Sequence, residues 1–205
     1  MKPGRTLEAL DLIKNLFQCN FNTNISKELL QAFLPKEGNT DPFFFPSQNF
    51  RLWNVCSTIL PYSVACLFPK VMEKTCEQFP IRLIKTTRLR VKQLKLLLDE
   101  GDLNLKVIVL VRDPRGMLKS RSSMEWCNTL NKCTDIISIC DNLLDDFLNA
   151  KAYASMYPKR ILLVRYEDLS LEPYTTLDKI MDFLELPSAP EFLDSFLASH
   201  TGRFR

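Results

Sequence analysis

Apolar runs and helical periodicities divide the chain into strands and helices. Residues 107–111 are five apolar residues in a row without alternation. This pattern predicts a strand covered on both faces, as at the centre of a parallel sheet. Shorter apolar runs at 81–86 and 161–164 predict two further strands. The pattern as a whole predicts an α/β fold with a parallel sheet.

Apolar residues at helical spacing, with capping residues or prolines at the ends, predict the helices. These span residues 6–17, 26–33, 87–101, 114–123, 135–154, 173–184 and 190–198. Between Pro35 and Pro69, prolines and aromatic residues predict a loop whose aromatic side chains either fill core or form a wall for a sugar ring. We therefore predict one domain over 1–205, with a helical and loop-rich part (1–80) and a strand-helix-strand core (81–205).

Charged side chains follow the three predicted strands: Lys85, Arg112 and Arg165. Parallel strands end at one edge of a sheet, so we expect these side chains on one rim. Arg112 offers a planar, permanently charged fork at the start of a helix capped by Asp113, and Ser120 lies two turns along that helix. This arrangement predicts a phosphate site.

Length, composition and charge restrict the possible class of protein and ligand. The 205 residues, 46% of them apolar, suffice for one domain with a core. The net charge is +3, but residues 81–121 carry eleven Lys or Arg against four Asp or Glu. This imbalance indicates an anionic ligand or acceptor, although for Lys92 and Lys95 we favour a solvated helix face. No stretch approaches the roughly 20 apolar residues of a membrane span, and the N-terminus has no signal-peptide core, so we expect no membrane span.

Seven cysteines show no zinc-type spacing, and His200 is the single histidine. We therefore expect no metal. Composition leaves open whether the cysteines are buried thiols or disulfides, although an odd count leaves at least one unpaired. Asn24-Ile25-Ser26 is a short glycosylation sequon.

Two segments together resemble a known family. Arg112-Asp113-Pro114-Arg115, with Ser120-Arg121 after it, follows a buried strand, and Val164-Arg165-Tyr166-Glu167-Asp168-Leu169 comes about 45 residues later. Both are similar to landmarks of the Golgi carbohydrate sulfotransferases, specifically the galactose, N-acetylgalactosamine and N-acetylglucosamine 6-O-sulfotransferases. The resemblance runs from about Leu10 to Thr201.

The resemblance implies a three-layer, P-loop-like sulfotransferase fold and 3′-phosphoadenosine 5′-phosphosulfate as sulfate donor. It implies that Arg112 and Ser120 hold the 3′-phosphate, with Arg115 and Gly116 in the same motif. A glycan or glycosaminoglycan acceptor, a Golgi-lumenal setting and a Cys66–Cys76 disulfide are implied as well. The family's Arg-Thr-Gly-Ser-Ser loop for the 5′-phosphosulfate is not found, so we expect a partial domain that lacks the first strand and this loop.

Other interpretations stay open from sequence alone. Arg112 could form an ion pair with Asp113 or Glu167, and the Ser120 hydroxyl could turn back onto its own helix. Arg115 and Arg121 could be surface groups, and Glu167 and Asp168 are expected to orient Arg165 rather than to act as an acid/base pair. For the whole chain, the alternatives are a catalytically inert module that binds nucleotide or a partner, and a nucleic-acid binder using residues 82–95. We disfavour the latter because that segment builds a strand and a core helix.

Overall fold

The computed structural model describes residues 3–24, 68–87, 89–101, 103–124, 127, 133–188 and 190–200. The predicted helix at 26–33 and nearly all of the predicted aromatic loop lie outside these residues. The chain divides into two compact units, residues 1–89 and 90–205. That 1–205 forms one domain stays a prediction.

The first unit is organised by a disulfide between helix α1 (Pro3–Phe17) and helix α2 (Pro69–Glu77). Cys19, just after α1, is bonded to Cys76 in α2. Both cysteines are buried with Phe21, and Leu16 and Met72 pack against this cluster. The predicted Cys66–Cys76 pair is therefore wrong, because Cys76 is already bonded to Cys19; Cys66 lies outside the described residues.

The predicted strand at 81–86 is wrong: the segment is irregular, and Leu83 is 89% exposed. A strand needs a partner to complete its hydrogen-bond ladder, and no described residue pairs with this one. The Arg82 guanidinium instead donates to the Phe17 carbonyl oxygen at 3.1 Å, at the end of α1. The strand-helix-strand core predicted from residue 81 therefore begins at residue 107.

The second unit contains the sheet. Strands β1 (Val107–Val111) and β2 (Ile161–Arg165) pair in parallel, with Val107 opposite Ile161 and Val111 opposite Arg165. Among the described residues, the helices α4 (Pro114–Ser122) and α5 (Ile136–Met156) lie between them in the chain, and α5 packs against both strands. This confirms the predicted α/β fold with a parallel sheet.

The prediction that β1 is covered on both faces is wrong. Alternate residues of β1 are exposed: Ile108 to 36% and Leu110 to 55%. Side chains alternate between the two faces of a strand, and helix α5 packs against the sheet. Among the described residues, the face that carries Ile108 and Leu110 has no comparable cover. The unbroken apolar run thus predicted that both faces of β1 would be buried, whereas one face is exposed in the described part of the chain.

Most of the remaining helices lie near their predicted places, but the helix that directly follows β2 was not predicted. A 3₁₀ turn (Val91–Leu94) leads into α3 (Lys95–Asp99), where one helix over 87–101 was predicted. After β2 come α6 (Tyr166–Leu171), α7 (Pro173–Leu184) and α8 (Pro190–His200). Among the described helices, none is long and apolar enough to cross a bilayer.

Arg160, immediately before β2, holds the irregular segment that leads into β1 against the rest of the second unit. Its guanidinium donates to the carbonyl oxygens of Leu98 (2.8 Å), Leu103 (3.0 Å) and Leu105 (3.1 Å). Leu98, Leu103 and Leu105 are themselves buried. One side chain therefore donates hydrogen bonds to three carbonyl groups that the described helices and the sheet leave without a backbone donor.

We expect Arg160→Ala to lower the free energy of unfolding by about 2–3 kcal/mol, because it leaves buried carbonyl groups without their charged donor. Chemical denaturation followed by circular dichroism measures this change. Lys179→Ala, at an exposed position of α7, is the control and should stay within about 0.5 kcal/mol of the unmodified protein. An equally small effect of Arg160→Ala would contradict the role assigned to the arginine.

Candidate functional site

Of the three charged side chains predicted to share one rim of the sheet, two lie at the ends of paired strands. Because Val111 pairs with Arg165 in a parallel register, Arg112 and Tyr166 leave the sheet side by side. The third member, Lys85, lies in the first unit on a segment that is not a strand. The candidate site is therefore built from the β1–α4 turn and the start of α6.

Asp113 caps α4 and occupies its first free amide. The carboxylate accepts the Arg115 backbone N–H at 2.8 Å, with Pro114 in the first turn as predicted. The same carboxylate accepts from Arg115 Nε at 3.0 Å and Nη2 at 2.5 Å. The Arg115 guanidinium is thus committed to Asp113, and an anion at this helix start would be held by side chains more than by open amides.

This pairing controls the charge state of Asp113. Hydrogen bonds from the Arg115 side chain and backbone lower the pKa of the Asp113 carboxyl from 3.8 to about 2. The same pairing raises the pKa of the Arg115 guanidinium. Both groups stay ionised at any physiological pH and largely cancel one another's charge.

Arg112 has a different environment. Its guanidinium carbon lies over the Tyr166 ring, 4.2 Å from the ring centre. A Cβ added at Gly116 would stand 3.2 Å from Arg112 Nε and 3.5 Å from Nη2. Among the described residues no carboxylate is within ion-pair distance of Arg112: Asp113 pairs with Arg115, and Glu167 lies near Arg165. The ion pair considered from sequence is therefore not formed.

Ser120 lies on the same face of α4 as Gly116, four residues and one turn further on. Its neighbours Ser122 and Ser123 turn their hydroxyls back onto the carbonyl oxygens of Lys119 and Ser120, each at 2.9 Å. Within the described part of the chain, the Ser120 hydroxyl makes no such bond. It is therefore available on the helix face that Arg112 approaches.

Glu167 joins the two halves of the site. Its carboxylate accepts the Asp113 backbone N–H at 2.9 Å, and this hydrogen bond is the main cause of the lowered pKa of Glu167. Arg165 lies 4.0 Å from Glu167 and 3.3 Å from Asp168. A carboxylate held ionised in this way orients neighbouring groups and is poorly suited to donate a proton.

A shallow cleft of about 360 Å³ opens between these elements. Arg112, Asp113, Arg115 and Gly116 line one side, and α6 lines the other with Tyr166, Glu167, Ser170 and Leu171. Three of the four predicted site residues therefore line the cleft, whereas Ser120, one turn beyond Gly116 on α4, is not among the lining residues. No group of three or more potential metal-binding side chains occurs among the described residues.

Tyr166 and Glu167 were not predicted as site residues, although both lie in the motif quoted above. The signal was the parallel register: once β1 and β2 are neighbours, the residue after one strand lies beside the residue after the other. From sequence, Glu167 was considered as a partner of Arg165 or of Arg112, and Tyr166 was given no role.

Comparison with known proteins identifies the family. The protein-family model described as a sulfotransferase domain matches residues 23–201. The chain belongs to the sulfotransferase family. Carbohydrate sulfotransferase 1 of Danio rerio is 28% identical over 86% of this domain and 48% of its own length. The human protein of that name is 35% identical over 62% of this domain and 34% of its own length.

Carbohydrate sulfotransferase 3 of Tetronarce californica is 29% identical over 83% of this domain and 40% of its own length. These matches place the sulfotransferase domain among the carbohydrate sulfotransferases and confirm the resemblance stated from sequence. The chain spans about half the length, or less, of these relatives. No solved structure matches it.

We expect the Asp113 carboxyl to titrate near pH 2, and Arg115→Ala to move its titration up toward 3.8, because the side-chain hydrogen bonds are the largest cause of the shift. NMR titration of the carboxyl carbon measures both values. Since the pKa is depressed on folding, the stabilisation of α4 by this cap is complete above about pH 4 and is lost as the pH falls toward 2. Lys119→Ala is the control and should leave the titration in place. A carboxyl that titrates near 3.8 in the unmodified protein would contradict the pairing.

Proposed function

We propose that the β1–α4 turn of this sulfotransferase domain binds the 3′-phosphate of 3′-phosphoadenosine 5′-phosphosulfate, with Arg112 and Ser120 as the direct ligands. The observation that carries the proposal is the Arg112 guanidinium, which lies at the open end of the sheet with no carboxylate partner among the described residues. A partly buried guanidinium without a counter-ion favours an anion of matching geometry, and phosphate offers parallel acceptor oxygens.

Arg115 and Gly116 support this site but are not placed to bind the phosphate directly. Arg115 neutralises Asp113, whose carboxylate lines the cleft and would otherwise repel a phosphate. Gly116 leaves space beside the Arg112 guanidinium. We therefore assign direct contact to Arg112 and Ser120, and supporting roles to Arg115 and Gly116.

The proposed reaction is transfer of sulfate to the 6-hydroxyl of N-acetylglucosamine, galactose or N-acetylgalactosamine in a glycan. The acceptor oxygen forms a bond to sulfur, the bond from sulfur to the bridging phosphate oxygen breaks, and the hydroxyl proton leaves with a base. The enzyme must hold the nucleotide at both ends, and Arg112 and Ser120 serve the 3′ end. The names of the relatives support a carbohydrate as the acceptor. The Cys19–Cys76 and Cys127–Cys133 disulfides support an oxidising setting such as the Golgi lumen.

A second candidate is a catalytically inert domain that keeps nucleotide binding. The observation in its favour is the sequence itself, which has no recognisable loop for the 5′-phosphosulfate. A nucleic-acid interface along residues 82–95 is less well supported, because several of its described cations are engaged within their own unit. Arg90 pairs with Asp145 and Asp146, and Lys92 pairs with Asp145.

We expect Arg112→Ala to weaken binding of adenosine 3′,5′-bisphosphate about 10- to 100-fold, since it removes charge-assisted hydrogen bonds to phosphate. Binding of adenosine 5′-monophosphate should change little. Isothermal titration calorimetry on the full 205-residue chain measures both. Lys119→Ala, which removes a positive charge from the exposed side of the same helix, is the matched control and should keep the preference for the bisphosphate. Equal affinities for the two nucleotides in the unmodified chain would overturn the proposal.

A transfer assay separates the two candidates. With 3′-phosphoadenosine 5′-[³⁵S]phosphosulfate and keratan or chondroitin acceptors, an active enzyme labels the glycan, and Arg112→Ala reduces the initial rate at subsaturating donor at least tenfold. The inert candidate predicts instead that the 205-residue chain binds the nucleotide without labelling the acceptor, because its sequence shows no recognisable phosphosulfate loop. Labelling by this chain would exclude the inert alternative.

A further inference from the structure

Two residues adjoin the Arg112 side chain from different directions: Tyr166, which has no assigned role in binding, and Gly116. The Tyr166 ring covers one face of the guanidinium at 4.2 Å. Gly116 faces Nε and Nη2, the two nitrogens whose N–H groups point in parallel and form the bidentate edge of an arginine. The ring therefore limits the movement of the guanidinium, while the missing side chain at 116 leaves room beside Nε and Nη2.

The backbone keeps Tyr166 in this place. Val111 and Arg165 are partners in the parallel register, so the next residue on each strand emerges at the same level. One residue further on, the Glu167 carboxylate accepts the Asp113 N–H at 2.9 Å. The ring and the guanidinium are thus bracketed by a strand pair on one side and a hydrogen bond on the other.

We propose that Tyr166 is a positioning residue for the 3′-phosphate, which orders the Arg112 guanidinium before the nucleotide arrives while Gly116 keeps the bidentate edge open. The inference rests on the proposed function of Arg112. A free arginine loses much rotamer freedom when it binds, and an arginine already stacked on a ring loses less. The attraction between the guanidinium and the ring orders the Arg112 side chain and leaves all of its N–H donors available for the phosphate.

Tyr166→Leu removes the ring but keeps an apolar side chain of similar reach, and Tyr166→Phe keeps the ring. We expect the leucine variant to weaken binding of adenosine 3′,5′-bisphosphate about two- to fivefold, with adenosine 5′-monophosphate unchanged. The phenylalanine variant should bind both nucleotides as the unmodified chain does. Tyr174→Leu, at a part-exposed tyrosine of α7 outside the cleft, is the matched control.

Gly116→Ala tests the same arrangement from the other direction. The added Cβ would stand 3.2 Å from Nε, so the guanidinium must shift by a few tenths of an ångström. Alanine also favours a helix over glycine, so this variant should be at least as stable as the unmodified chain. We expect it to lose preference for the bisphosphate while its thermal midpoint stays equal or rises, a combination that damage to the fold does not produce.

An NMR readout separates failure of this inference from failure of the proposed function. In ¹H–¹⁵N spectra of the nucleotide-free chain, the Nε–Hε signal of Arg112, assigned with Arg112→Lys, should be shifted upfield by the Tyr166 ring. The shift should persist in Tyr166→Phe and disappear in Tyr166→Leu. An unshifted signal, or a Tyr166→Leu variant with unaltered bisphosphate preference, overturns the positioning role. Absence of any bisphosphate preference in the unmodified chain overturns the proposed function instead.

Discussion

The hydrogen bond from the Asp113 N–H to the Glu167 carboxylate joins the two segments on which the candidate site depends. Without it, the turn after β1 and the first turn of α6 would be connected only through the strands behind them. With it, Arg112 and Tyr166 lie against one another, and Asp113 is left free to cap α4 and to engage Arg115. One backbone donor and one carboxylate thus help to set the position of Arg112 relative to its aromatic neighbour Tyr166.

The basic residues of the middle of the chain have divided roles. Arg90 and Lys106 are engaged within their own unit: Arg90 pairs with Asp145 of α5, and Lys106 donates to the Phe183 carbonyl oxygen at 2.6 Å. These two side chains connect the start of the 3₁₀ turn to α5 and the start of β1 to the end of α7. Part of the excess positive charge of residues 81–121 is therefore structural, and Arg112 is the cation that we propose for a ligand.

Sequence reasoning located the strand-turn-helix unit correctly because its signals are local: an unbroken apolar run, a capping Asp113 and Pro114 in the first turn. It failed where the outcome depends on partners. The segment 81–86 has the composition of a strand but no partner strand among the described residues. Leu110 lies in β1, but its side chain is exposed. The Cys66–Cys76 pair came from resemblance, and spacing cannot decide which thiols meet in space. Tyr166 was missed because its role exists only once two strands are adjacent.

The link between Cys19 and Cys76 has a consequence for handling the protein. The two residues are 57 positions apart, so any single proteolytic cut between them leaves two polypeptides that remain covalently joined. Such a nicked molecule would migrate as intact material on a gel without reductant and separate into two fragments only after thiol treatment. Purity judged under non-reducing conditions alone would therefore overlook internal cleavage of this chain.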